Sequence, residues 1–220
     1  MPDSRPTDSD WVDLAANRPG QAVRAVAEAE LSAQRERSRF RSGLARVLDV
    51  HTEERAWRRG AEGEEAVGLR LEKLTKRGWL FVHSVPVGSR GSDIDHVAIG
   101  PGGVFTLNTK NHRGNRVYVN AKGVRITGQR VPYLRNSQHE AERASRLLTE
   151  AVGFPVFCTG VVVVLADELT HKGHPEPVKV VGRRDVAGWL RRQPDTLGTE
   201  QIATLYAAAR RSTTWQPTTG

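Results

Sequence analysis

Apolar positions change period several times along the chain, and each change marks an element. Val67, Leu71 and Leu74 recur at i, i+4 and i+7, the spacing of one helix face. Thr52 is placed to cap this helix, Glu53 and Glu54 fall in its first turn, and Gly78 ends it after Arg77. Short strand-like runs follow at 79–84, 94–99, 104–109, 116–120 and 123–127, with turn chemistry at Pro101, Gly102 and Gly103. The helical period returns over 137–151 through Ala141, Ala144, Leu147, Leu148 and Ala151. Asn136 is its expected cap, and Gly153 and Pro155 are its stop. Residues 156–165 are almost continuously apolar and read as a buried strand, with another at 178–181. Asp185 opens a short helix around Trp189 and Leu190, and Thr199 a last one through Ile202, Leu205 and Tyr206. The order helix, strands, helix, strand predicts an α/β domain with a mixed central sheet flanked by helices.

The ends read differently. Residues 1–20 are rich in Pro, Asp and Ser and are expected to form a mobile tail. Residues 21–50 carry a sparse stripe of Val23, Val26, Leu31, Phe40, Leu44 and Val47. This predicts a helical arm that docks on the domain or on a second copy, so a homodimer through this helix is an expectation. The main domain is then 51–182, and 183–220 supply C-terminal helices and a tail that frays from Thr213.

Composition narrows the function classes. Extending the first helix stripe backwards reaches Glu64 and then Gly60, which puts a carboxylate on the face that packs against the sheet. An acid there needs a partner or a task. The chain carries a net charge of +8, which favours a polyanion, nucleic acid before membrane. The surplus is uneven. Lys110 to Glu150 hold nine Lys and Arg against three Glu, directly after the hairpin of the second and third strand-like runs. The single cysteine, Cys158, excludes an intramolecular disulfide and a multi-cysteine metal centre and reads as a buried, inert thiol. The longest apolar run, 161–166, is far shorter than the ~20 residues that cross a bilayer. The N-terminus lacks the pattern of a secretory signal, so the expected compartment is the cytoplasm, with no membrane partner.

The chemistry concentrates between Gly91 and Gly114. Two strands joined by the Pro-Gly-Gly turn carry Asp93 and Asp95 on the first and Asn108 and Lys110 on the second. Alternation points each pair to one side. Acids, an amide and a lysine on one face suit a metal ion beside a phosphate. Asp93 reads equally as a turn residue or as a ligand. His96 points away from Asp95 as a packed or surface histidine, and His112 reads as a solvated loop residue.

These residues resemble the nuclease-related domain, a branch of the PD-(D/E)xK nuclease superfamily. Asp95 matches the superfamily's Asp and Lys110 its Lys, while Asn108 stands where the Glu belongs. Gly60, Gly63 and Glu64 resemble the upstream helix motif; Tyr133, Asn136 and Gln138 resemble the start of the downstream helix. The resemblance implies a restriction-endonuclease-like core and a metal-dependent nuclease, with DNA preferred over RNA as substrate and Mg²⁺ or Mn²⁺ as cofactor. It implies catalytic roles for Glu64, Asp95, Asn108 and Lys110. Metal contacts are implied for Asp95, Asn108 and the Thr109 carbonyl, with Asp93 able to compensate. Nucleic-acid contacts are expected at Arg113, Arg116, Lys122, Gln138, Arg143 and Arg146. Asn108 offers a carbonyl oxygen without charge, so metal affinity is expected to fall and Asn108→Glu to raise it. The alternatives are a decayed domain that only binds nucleic acid or regulates, and an interaction protein in which the polar hairpin is an internal salt-bridge network.

Overall fold

The computed structural model describes residues 11–25, 28, 45–87 and 92–216. The expected tail at 1–10, most of the arm over 26–44 and the last residues 217–220 lie outside them.

Helix α1 (Ala45–Leu71) runs into a 3-10 segment (Glu72–Arg77) that Gly78 ends at φ 79°. It starts before Thr52, so Thr52 is an interior helical position and not its cap. Strands β1 (Leu80–Val87), β2 (Ser92–Gly100) and β3 (Gly103–Asn120) form an antiparallel meander. The runs expected at 104–109 and 116–120 are one strand, and a register shift between His112 and Arg116 absorbs Gly114. Strands β4 (Gly123–Ile126) and β5 (Gln129–Val131) extend the meander; β5 is too short and polar to show a period.

Helix α2 (Tyr133–Val152) then crosses to β6 (Cys158–His171), which runs parallel to β3 and to β7 (Lys179–Gly182). Helix α2 begins after Pro132, so Asn136 lies inside its first turns instead of capping it. Helices α3 (Val186–Arg191) and α4 (Thr199–Ala209) follow, with a 3-10 turn at Ser212–Trp215. The result is a mixed seven-stranded sheet between helices, consistent with the restriction-endonuclease-like fold.

Two cores lie on opposite faces. Val67 and Leu71 of α1 and Leu74 of the 3-10 segment pack with Phe105, Leu107, Val161 and Val163, and Leu190 of α3 closes the same layer. Leu147 and Leu148 of α2 pack with Val97, Ile99 and Leu205 of α4 on the other side. The first and last described segments both belong to this second layer. Leu14 and Trp215 are buried in it, the Trp215 indole N–H donates to the Ala209 carbonyl at 2.7 Å, and Asp13 pairs with Arg210. Residues 11–20 are therefore docked, not a free tail, and the chain is still packed at Trp215, past the point where fraying was expected. No helix among the described residues is long and apolar enough to cross a membrane.

One feature of the sheet places the site. Strand β6 follows one edge of β3 along most of its length. The other edge pairs with β2 only up to Leu107 and with β4 only from Val117. Between them the backbone of β3 needs other partners.

Candidate functional site

Asp95 fills that gap. Its Oδ2 accepts the Thr109 N–H at 2.6 Å, where a ladder carbonyl would otherwise be. The carboxylate is buried, and burial pushes its proton affinity up. The Lys110 ammonium and the Thr109 amide pull it back down, while Asp93 adds to the rise. Asp93 belongs to β2, opposite Pro86, and is not a turn residue. Its own pKa is raised by burial.

Glu64 reaches the cluster from α1. It is 5% exposed, and its Oε2 accepts the Gly20 N–H at 3.0 Å. Burial first, then the charges of Asp95 and Asp93, push its pKa up to about 8 against the opposing pull of Gly20 and Lys110. The helix approaches this closely because Gly63 has no side chain. A Cβ there would stand 3.2 Å from both Thr109 Cγ2 and Asn111 Cβ.

Asn108 and Lys110 face the other layer, toward α2. The Asn108 amide nitrogen donates to Glu140 Oε2. Burial pushes the Glu140 pKa up to about 7, opposed by Lys110 and by the Asn108 hydrogen bond and reinforced by Asp95. Lys110 Nζ lies 5.5 Å from the centroid of the Tyr133 ring, and the Tyr133 hydroxyl is 2.8 Å from His112 Nε2. His112 is thus a strand residue stacked on Tyr133, not a solvated loop histidine.

The structure therefore brings together Glu64, Asp93, Asp95, Asn108, Thr109 and Lys110, and adds Glu140. Reading the chain alone missed Glu140, because it lies in a polar helix segment and its partner is 32 positions away. Its one signal is spacing: it falls three residues after Ser137 and four before Ala144, both buried on the inward face of α2.

The expected nucleic-acid contacts divide. Gln138 gives its amide to Glu142 at 2.8 Å on the exposed face of α2, Arg146 pairs with Glu150 at 3.2 Å, and Arg116 with Glu168 at 3.3 Å. Lys122 lies at the β3–β4 turn, roughly 30 Å along the strand from Lys110 at ~3.3 Å per residue. Arg143 carries a buried Nε with no hydrogen-bond partner. Arg113 borders a cleft of about 430 Å³ shared with Arg183 and Arg184. Neither Arg183 nor Arg184 stands out in the sequence. The guanidinium charges of Arg70, Arg113 and Arg184 all act on Arg183.

Away from the cluster, His96 is fully buried with its Nδ1 2.9 Å from His83 Nδ1. Burial lowers both, His83 to about 4, so the pair is neutral. Cys158 is held as a thiol, its pKa pushed up to about 12 by burial.

The donors suit a hard divalent cation. They are oxygens, and the carboxylates raise one another's proton affinity, so positive charge is favoured among them. Among the described residues no three His, Cys, Asp or Glu side chains already close around a metal position.

An uncharacterized protein of Bacillus anthracis is 36% identical over 72 residues, which cover 31% of this chain and 34% of the relative. The match thus spans about a third of that relative's length. No solved structure matches the chain significantly. Residues 59–165 match the nuclease-related domain family. That span, just under half of the chain, contains α1 from Arg59, the meander with Asp95 and Lys110, all of α2 and the buried half of β6; over it the chain matches the nuclease-related domain, whose general kind is PD-(D/E)xK.

Proposed function

We propose that the chain is a metal-dependent nuclease that hydrolyses phosphodiester bonds of nucleic acid, DNA before RNA. The observation that carries this reading is Lys110, set among Asp95, Glu64 and Glu140 so that its charge acts on all three. A lysine set among buried and half-buried acids, within a span that matches the nuclease-related domain, is the arrangement that phosphoryl chemistry needs. A divalent ion, when bound, would neutralise charge on the phosphoryl oxygens and make water a better nucleophile.

The chain's own groups divide the remaining work. Asp95 and the carbonyl oxygens of Asn108 and Thr109 would hold the ion. With its amide nitrogen committed to Glu140, Oδ1 is the atom that Asn108 offers. Lys110 would orient the attacking water and offset the charge that develops on the phosphoryl group. Tyr133, beside Lys110, limits where the ammonium can swing. Arg143 and the cleft of Arg113, Arg183 and Arg184 would grip phosphates without reading bases. This cleft is lined by Val164, Leu165 and Ala166, which pair in register with Lys110, Asn111 and His112, so it begins beside the candidate site.

The test is cleavage of labelled single- and double-stranded DNA and RNA with Mg²⁺ or Mn²⁺. Wild type is expected to cut, and Asp95→Asn and Lys110→Ala to lose roughly 10²-fold or more with unchanged melting. A wild type that binds nucleic acid yet cuts no substrate would instead favour the decayed, binding-only domain, which Asn108 makes the second reading. Full activity in Lys110→Ala would place the chemistry elsewhere.

A further inference from the structure

We propose that Glu140 supplies the anionic metal ligand that position 108 lacks, with Asn108 acting as the residue that positions it. The inference rests on the nuclease reading of the site. Asn108 and Glu140 are in direct contact, with Nδ2 donating to Oε2. The amide therefore holds a carboxylate at the place where its own position would otherwise present one. Asn108 and Glu140 together carry one negative charge, the charge that a single Glu at 108 would bring.

Two observations separate this from a plain structural pairing. Among the described residues the one side chain hydrogen-bonded to this half-buried carboxylate is a neutral amide, a costly pairing, and a glutamine would satisfy Asn108 equally well. In addition, the contact lies next to Asp95 along the strand: Thr109, the residue after Asn108, donates its N–H to Asp95 Oδ2 at 2.6 Å. Glu64, another acid near Asp95, has its Oε2 tied to the Gly20 amide.

The fold builds this contact deliberately. Gly160 of β6 lies under the start of α2, and a Cβ there would stand 2.8 Å from the Ser137 carbonyl oxygen. Glu140 lies almost one turn further on and so reaches Asn108, which pairs in register with Val162 of the same strand. The placement also revises the expectation for Asn108→Glu. That change alone sets two carboxylates against each other, and it is expected to lower the melting temperature without strengthening cation binding.

The experiment is calorimetric titration of the metal-free full chain with Mn²⁺ and with Mg²⁺, alongside melting curves for every variant. Glu140→Gln, which keeps an acceptor for Asn108, is expected to weaken binding by about tenfold or more, since ligand charge sets affinity for hard cations. The double variant Asn108→Glu with Glu140→Gln moves the carboxylate to the strand and is expected to recover binding to within a few-fold of wild type. Glu150→Gln, on the outer face of α2, should change nothing. Wild-type affinity in Glu140→Gln, or no recovery in the double variant, overturns the assignment. Asp95→Asn separates the two levels of failure. If it weakens binding while Glu140→Gln does not, the nuclease reading stands and Glu140 is only a partner for Asn108. If neither alters binding, or wild type binds neither ion, both fall.

Discussion

The Gly20 N–H donates to Glu64 at 3.0 Å, joining the N-terminal segment to the acid that α1 presents to the sheet. The bond is the point where a peripheral segment touches the candidate chemistry. Gly20 has φ +76°, and a Cβ on it would lie 3.0 Å from the Ala61 carbonyl oxygen and 3.2 Å from the Ala61 Cα. Conformation and space both demand glycine here.

Gly20→Ala should therefore destabilise the protein by about 1–3 kcal/mol, from the positive φ and the clash with backbone. Chemical denaturation at neutral pH reads this directly. Wild-type stability in the variant would mean that residues 11–20 are not held against α1 as described.

The same acid predicts a pH dependence. Glu64 titrates near 4.5 when unfolded and at about 8 in the fold. Between these values the unfolded chain holds fewer protons, so stability declines as pH rises. The contribution is complete below about 4.5 and lost as pH passes 8. Glu64→Gln keeps an acceptor for Gly20 and removes the titration. Its stability relative to metal-free wild type should grow from mildly acidic to alkaline pH, reaching on the order of 2 kcal/mol. A pH-independent difference would contradict the burial assigned to this carboxylate.

Much of this architecture is legible in the chain because it depends on local period. Val67, Leu71 and Leu74 announce the buried face of α1 and its 3-10 continuation, and the alternation about Pro101 to Gly103 announces the hairpin. Val161 to Leu165 announce a strand covered on both faces. What escaped depends on distant partners. Asp13 meets Arg210 across 197 positions, so residues 11–20 of a segment that looks mobile are docked. Gly114 looks like a break between two strands, yet β3 continues because β6 supports it on either side of the register shift. Asp95, Asn108 and Lys110 share a hairpin and can be found by alternation. Glu140 and Arg183 come from elements whose packing only the sheet determines.

The cleft formed by Arg113, Arg183 and Arg184 makes a prediction about binding rather than chemistry. If it tracks a phosphate backbone, Arg183→Ala and Arg184→Ala should each weaken affinity for DNA of unrelated sequences alike. Each should also reduce the slope of log affinity against log salt by about one. Single-turnover cleavage at saturating protein should be unchanged, because neither residue lies in the cluster around Lys110. Fluorescence anisotropy across a salt series measures the slope. A slope equal to wild type in both variants would exclude the cleft from the binding path.

Gly160 offers a test of the contact between α2 and the sheet that touches no candidate ligand. A Cβ at this position meets the Ser137 carbonyl oxygen and Oγ at 2.8 Å, and the backbone carbonyl cannot rotate away without lifting the helix. Gly160→Ala should therefore cost about 1–3 kcal/mol, the range for overpacking a filled interface. Lifting the start of α2 draws Glu140 away from Asn108, so cation affinity should fall although every oxygen donor is retained. Denaturation and calorimetric titration on the same preparation give both quantities. Loss of stability with unchanged cation binding would show that Glu140 does not depend on the approach of α2. Unchanged stability would refute the approach itself.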